Sequence, residues 1–197
     1  MAWDTERTRA LLLDAAAGEF SEHGFAGARV DRIAEAAGVN KERIYSYFGS
    51  KDGLSAAVLE HCLTAVVDAV PIRGEGIEAI TDYVGRLFDY HREHPRFARL
   101  MVWEGLERGT PIAEQTRAAF SARKVDNLRA AVPGLSLDDA RELLLTIVTL
   151  CDGYAALPNV ERLYFRDAAG APRRRSRRRA AIVAAVEAIA RDMLIPA

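Results

Sequence analysis

The residues with chemistry to offer cluster between Val30 and Leu54, in the stretch VDRIAEAAGVNKERIYSYFGSKDGL. Lys41, Glu42, Arg43, Tyr45, Ser46 and Tyr47 form one polar run, broken only by Ile44. An ammonium, a guanidinium and several hydroxyls at this spacing suit phosphates and base edges. The guanidinium fork matches guanine O6 and N7, and a carboxylate such as Glu42 accepts from cytosine N4. Asn40 has the side chain of a helix N-cap, which would put Lys41 and Arg43 in the first turn of the helix it opens. Ser46 can donate to a phosphate or a base. Lys51 stands where a further helix begins, beside N–H groups that favour an anion. Arg29, at the start of the helix before, is within reach of a nucleic-acid backbone. The plainer roles remain open: Tyr45 as packing, Arg43 bridged to Glu42 or Asp31, Lys51 simply solvated.

Other chemistries find little support. No nucleophile–base pair, glycine-rich phosphate loop or metal triad is evident, so no enzyme, cofactor or metal is expected. His91 and His94 are three apart, beside Asp89 and Glu93, but two ligands fall short of a metal site and a solvated face is expected there. Cys62 and Cys151 lie in apolar surroundings and read as buried thiols.

These residues need elements to hold them. Ala, Leu, Glu and Arg dominate, no period-2 strand stands out, and seven prolines and fourteen glycines fall mainly between periodic segments. The chain reads as all-α. A first helix runs from about Asp4 to His23, with Leu12, Ala16 and Phe20 on one stripe and Gly24 ending it. A short second helix, about Arg29 to Ala36, buries Val30, Ile33, Ala34 and Ala37. Gly38 makes a tight turn to a third helix, Lys41 to Phe48, anchored by Ile44 and Phe48. Gly49 stops that helix and Ser50 caps a fourth, from Lys51 to about Val70. Further helices are expected at about 75–93, 95–108, 111–131, 137–156 and 177–194, with a loop at 157–176.

Two short helices joined by a glycine turn form a helix-turn-helix, whose second helix enters the DNA major groove. The pattern IAEAAGV, then IY, YF and SK at fixed spacing, resembles the TetR family of bacterial transcriptional regulators. The resemblance takes in Ala15, Ala16, Phe20 and His23-Gly24-Phe25, and covers about residues 7–59. It implies an N-terminal three-helix DNA-binding domain over residues 1–50 and a helical ligand-sensing and dimerisation domain over 51–197. It also implies that Tyr45 and Tyr47 contact phosphates or flank bases, and that Lys51 clamps a phosphate. The family often places Thr or Ser at the positions of Ala28 and Arg29; Ala28 cannot cap a helix.

The expected partners are double-stranded operator DNA and a small-molecule effector. For the effector, the polar groups on offer are His91, Trp103, Glu104, Glu107, Asp152 and Tyr154. The segments at about 137–156 and 177–194 are apolar nearly all round and are expected to pair with their copies in a homodimer. A dimer would set two reading helices about 34–36 Å apart, one turn of DNA. The alternative is a helical protein-binding module or carrier whose DNA-binding motif no longer functions.

Charge argues neither way in bulk. The formal net charge is −1, and the first 51 residues carry 7 Lys and Arg against 8 Asp and Glu. Six arginines crowd Arg173 to Arg179 in PRRRSRRR, and a solvated, mobile loop is expected there. The first twenty residues, MAWDTERTRALLLDAAAGEF, lack a secretory pattern, and no apolar run reaches the length of a membrane span. A cytoplasmic location is expected.

Overall fold

Strong helix formers punctuated by glycine and proline give ten α-helices and no strand in the described part of a computed structural model, which covers residues 2–166 and 170–195. They are α1 (Ala2–Gly27), α2 (Val30–Ala37), α3 (Lys41–Phe48), α4 (Lys51–Ala69), α5 (Gly76–Glu93), α6 (Arg96–Glu107), α7 (Glu114–Ala131), α8 (Leu137–Ala156), α9 (Pro158–Phe165) and α10 (Pro172–Met193). The chain forms two compact units, Met1–Val66 with Arg96–Arg117, and Val67–Pro95 with Ala118–Ala197.

In the first unit, α1 buries Leu12, Leu13, Ala16, Ala17 and Phe20, and the Phe20 ring meets Phe25 at 5.3 Å. Ile33, Ala34 and Ala37 of α2 and Ile44 of α3 complete this small core. Helix α6 packs along α1 and adds Phe97, Ala98 and Leu100. The regular helix stops at Gly24 as expected, where φ 73° and ψ 174° kink the chain, and a further short helical stretch runs on to Gly27. The kink is occupied from outside. A Cβ on Gly24 would run into the Glu107 carboxylate and the Trp103 ring. Trp103 Nε1 also donates to the Ser21 carbonyl at 3.2 Å, and the Ala26 N–H donates to Glu107 at 2.9 Å.

In the second unit, α5, α8 and α10 pack together through Ile80, Val84, Leu87, Leu143, Ile147, Ile182 and Val186. Gly85 lets the Arg179 guanidinium lie against the α5 backbone, where it donates to Asp89 at 2.8 Å.

Two expectations for the C-terminal part are corrected. The segment 157–176 is not a loop: Pro158 opens α9 and Pro172 opens α10, each at a first-turn position that needs no N–H. Residues 167–169 of that segment lie outside the described residues. The arginine run is likewise helical, being the first two turns of α10. Its members therefore recur at i, i+4. Arg175 and Arg179 line a pocket with Phe88, Asp89 and Arg92 of α5. Arg174 and Arg178 face α8 and α9, while Arg173 and Arg177 stay exposed.

Candidate nucleic-acid interface

Three glycine and serine devices hold α3 in place. Gly38, in the left-handed region at φ 65°, ends α2, and its own and the Val39 N–H groups return to Glu35 and Ala34. Ser50 caps α4, its hydroxyl accepting from the Gly53 N–H at 3.0 Å. A Cβ on Gly53 would strike the Phe48 carbonyl, so glycine permits the close approach of α4 to the end of α3.

Two local expectations fail. Asn40 occupies the N-cap position of α3, but its side chain makes no capping bond. Phe48 is half-buried, not core, with the Arg9 guanidinium 5.7 Å from its ring centre. Ile44 alone is the buried anchor of α3.

With Ile44 inward, Lys41, Glu42, Arg43, Tyr45 and Ser46 are exposed, and Tyr47 is half-buried. The outer sides of α3 thus carry two cations and three hydroxyls, groups that can pair with base edges and phosphates. Lys41 is engaged by Asp31 of α2 at 2.7 Å. The bond from Lys41 holds the Asp31 carboxyl below its ordinary range, and Asp31 in turn raises Lys41. Arg29 is exposed at the N-cap of α2.

Lys51 is tied inward. Its ammonium donates to the Ala26 and Ala28 carbonyls at 3.1 and 2.6 Å. It therefore fastens the start of α4 to the α1–α2 turn.

Sequence reasoning missed Glu19. Ala28 cannot cap α2, and the Glu19 carboxylate does the work from α1. It accepts from the Arg29 N–H at 2.8 Å and from the Arg32 guanidinium. Burial would raise its pKa, but the bonds from Arg32 and Arg29 outweigh that and leave it lowered. The pairing spans ten residues, so no local pattern announces it.

The six residues proposed for an effector divide between the two units. Trp103, Glu104 and Glu107 belong to the first unit, and His91, Asp152 and Tyr154 to the second. Trp103 and Glu107 cover the Gly24 kink. Glu104 is buried and accepts from the Ile112 N–H at 2.7 Å and from Arg117 at 2.6 Å, fixing the turn after α6. His91 is not on a solvated face. It is buried, with Nε2 3.0 Å from Asp152 Oδ1. Burial pulls the imidazole down to about 4 and pushes the Asp152 carboxyl up to about 7. Nearby, Lys124 donates to the Tyr83 hydroxyl at 2.9 Å, and burial lowers its pKa. Tyr154 stacks on Phe88 at 5.1 Å and donates to Glu161 at 2.9 Å. Burial pushes the Cys62 thiol up to about 11 and the Cys151 thiol up to about 12, so both stay protonated at neutral pH.

No single helix among the described residues is long and apolar enough to cross a membrane. No group of three metal-ligating side chains occurs among them.

Comparison with known proteins agrees with this geometry. Residues 12–58 match the model for bacterial regulatory proteins of the tetR family, and residues 79–188 match that for the tetracyclin repressor-like C-terminal domain. The chain is 39% identical over 167 residues to the HTH-type transcriptional repressor SCO4008 of Streptomyces coelicolor, covering 82% of this chain and 85% of that protein. It is 31% identical over 160 residues to the HTH-type transcriptional regulator RutR of Escherichia coli, covering 76% and 75%. Among solved structures, the transcriptional regulator SCO4942 of Streptomyces coelicolor superposes with a TM-score of 0.73 at 36% identity, covering 92% of this chain and 97% of that one. The chain belongs to the TetR family and is a helix-turn-helix, DNA-binding transcriptional regulator.

Proposed function

We propose that this regulator is a cytoplasmic repressor that binds operator DNA as a homodimer and leaves it when a small effector binds. The carrying observation is the exposed ridge of α3, with Ile44 fully buried behind Lys41, Arg43 and Tyr45. Residues 1–50 act as the DNA-binding domain and residues 51–197 as the sensing and dimerising part. Arg43 and Lys41 read base edges, while Tyr45, Ser46 and Tyr47 engage the backbone or flanking bases. Glu42 selects against some base pairs and for a cytosine amino group. Arg29 and the N-terminus of α4 serve phosphates.

Dimerisation through 137–156 and 177–194 accounts for apolar groups left outside. Leu145 and Val148 are exposed on α8, as are Ala181, Ala184, Ala185 and Ala188 on α10. Small residues allow two such helices to approach their copies closely. The repressor name of the Streptomyces coelicolor relative supports the direction of control. An effector acts by preferring a form of the dimer whose reading helices no longer match the spacing of the half-sites.

A gel shift on DNA upstream of the protein's own gene, at low and raised salt, tests this reading. Specific binding that falls by about 10³-fold or more between roughly 50 and 200 mM salt supports it. Absence of any shifted species at low salt defeats it.

A further inference from the structure

Helix α9 is unusual in having no buried residue of its own. Leu163 and Tyr164 are about four-fifths exposed, at 80% and 79%, and Val160 and Phe165 are also exposed. A helix with an apolar face and nothing beneath it gains little from burial. What lies beneath is a cavity of about 490 Å³ between α8, α9 and α10. That volume is within the range of small-molecule sites, roughly 300–1,000 Å³. Its walls are mainly apolar, formed by Leu150 of α8, Leu157 just beyond it, and Val160 and Phe165 of α9.

The polar groups at the cavity are unequally satisfied. Arg174 lies over the Phe165 ring at 3.7 Å and forms an ion pair with the Glu161 carboxylate at 3.5 Å, although its Nε and Glu161 Oε1 make no hydrogen bond. Glu161 is further held by the Tyr154 hydroxyl. Arg178 lines the same cavity one turn on, over the Tyr154 ring at 5.8 Å, and makes no ion pair among the described residues. The lining therefore carries one uncompensated positive charge at the edge of an apolar volume.

We propose that this cavity takes an organic monoanion with an apolar body, whose acid group pairs with Arg178. This rests on the effector reading above and gives that effector a chemical class and a place. The apolar body supplies the core that α9 lacks, so binding orders α9. Arg178 makes the charge-assisted, planar contact that a carboxylate or sulfonate prefers. Arg174 positions α9 through Glu161 and does not read the ligand. A cation of the same shape would face Arg178 at close range, and a neutral molecule would leave it without a counter-charge.

The test uses the full-length protein and two fluorescent probes of nearly the same aromatic body: anilinonaphthalene sulfonate, an anion, and phenylnaphthylamine, which is neutral. The anion is expected to bind saturably at one site per chain and more tightly than the neutral probe. Arg178→Gln should weaken the anion about tenfold, as loss of a charge-assisted contact does, and leave the neutral probe unchanged. Arg177→Gln, one residue away and exposed, should change neither. Equal binding of the two probes, an Arg178→Gln protein that binds the anion normally, or no saturable site because a second copy covers the cavity would each overturn the proposal. Operator binding is followed in the same samples. If the anion binds at Arg178 without releasing operator, only the effector reading fails; if operator binding is normal and no anion site exists, only this site fails.

Discussion

Lys41 of the reading helix and Asp31 of the helix before it form an ion pair of 2.7 Å on the open surface of the helix-turn-helix. On the proposed reading, Lys41 meets the duplex only after releasing the Asp31 carboxylate. Asp31→Asn removes the competitor and one negative charge from the interface. Its affinity for arbitrary duplex should rise by about threefold to tenfold at low salt, and the gain should shrink as salt is raised. Fluorescence anisotropy on operator and scrambled duplexes measures both. A lower affinity for both duplexes would show that Asp31 has a different role.

Arg43 is exposed in the first turn of α3 and is engaged by no acid among the described residues. Arg43→Ala should cost operator affinity about tenfold to a hundredfold while changing non-specific binding far less. A uniform loss across sequences would make Arg43 a phosphate contact instead of a base reader.

Two glycines of α1 should respond in opposite directions. Gly24 has φ 73°, and the space for a Cβ is filled by Trp103 and Glu107. Gly24→Ala should destabilise by about 1–3 kcal/mol, the cost of a strained backbone position. Gly18 sits in the same helix with nothing within 4 Å of an added Cβ. Gly18→Ala should stabilise by about 0.5–1 kcal/mol. Thermal melts separate the two, at about 2–4 °C per kcal/mol for a chain of this size.

The buried pair in the second unit makes a prediction about pH. The fold lowers His91 to about 4 and raises Asp152 to about 7, in each case chiefly by burial. A lowered histidine loses stability as pH falls below its unfolded value of about 6.5, and a raised carboxyl loses stability as pH rises from about 3.8 toward its folded value. The two effects oppose one another between about pH 4 and 6.5: folding moves one proton from imidazole to carboxyl without changing the number bound. Asp152→Asn leaves only the histidine. Its stability should rise with pH across that window, at most by about 1.4 kcal/mol per pH unit relative to the parent. His91→Gln leaves only the carboxyl, and its relative stability should fall as pH rises. Melting temperature against pH for the three proteins reads this directly, and parallel curves would remove the pair from the account.

What the sequence made legible was local. The glycine turns at 38 and 49, the Ser50 cap and the period of Leu12, Ala16 and Phe20 each act within a few residues, so composition and spacing announce them. The contacts that brace α1 and α2 act over distance. Glu19 capping α2 and Trp103 and Glu107 seated on Gly24 join segments ten to about eighty residues apart, which no periodicity encodes. Helix α9 was hidden for another reason. Its apolar residues are not buried, and it lies between prolines that mark helix starts as readily as loops. The arginine run misled because charge density suggests solvation, whereas i, i+4 spacing divided it among three faces of α10.

The exposed edge of α3 is expected to read the operator, and the exposed arginines of α10 are not. The direct measurement is operator affinity by anisotropy for three proteins: the parent, Lys41→Ala with Arg43→Ala, and Arg173→Gln with Arg177→Gln. The α3 double variant is expected to lose specific binding, while the α10 variant, with two exposed arginines neutralised, binds as the parent does. Unchanged affinity in the α3 variant, with loss in the α10 variant, would contradict it.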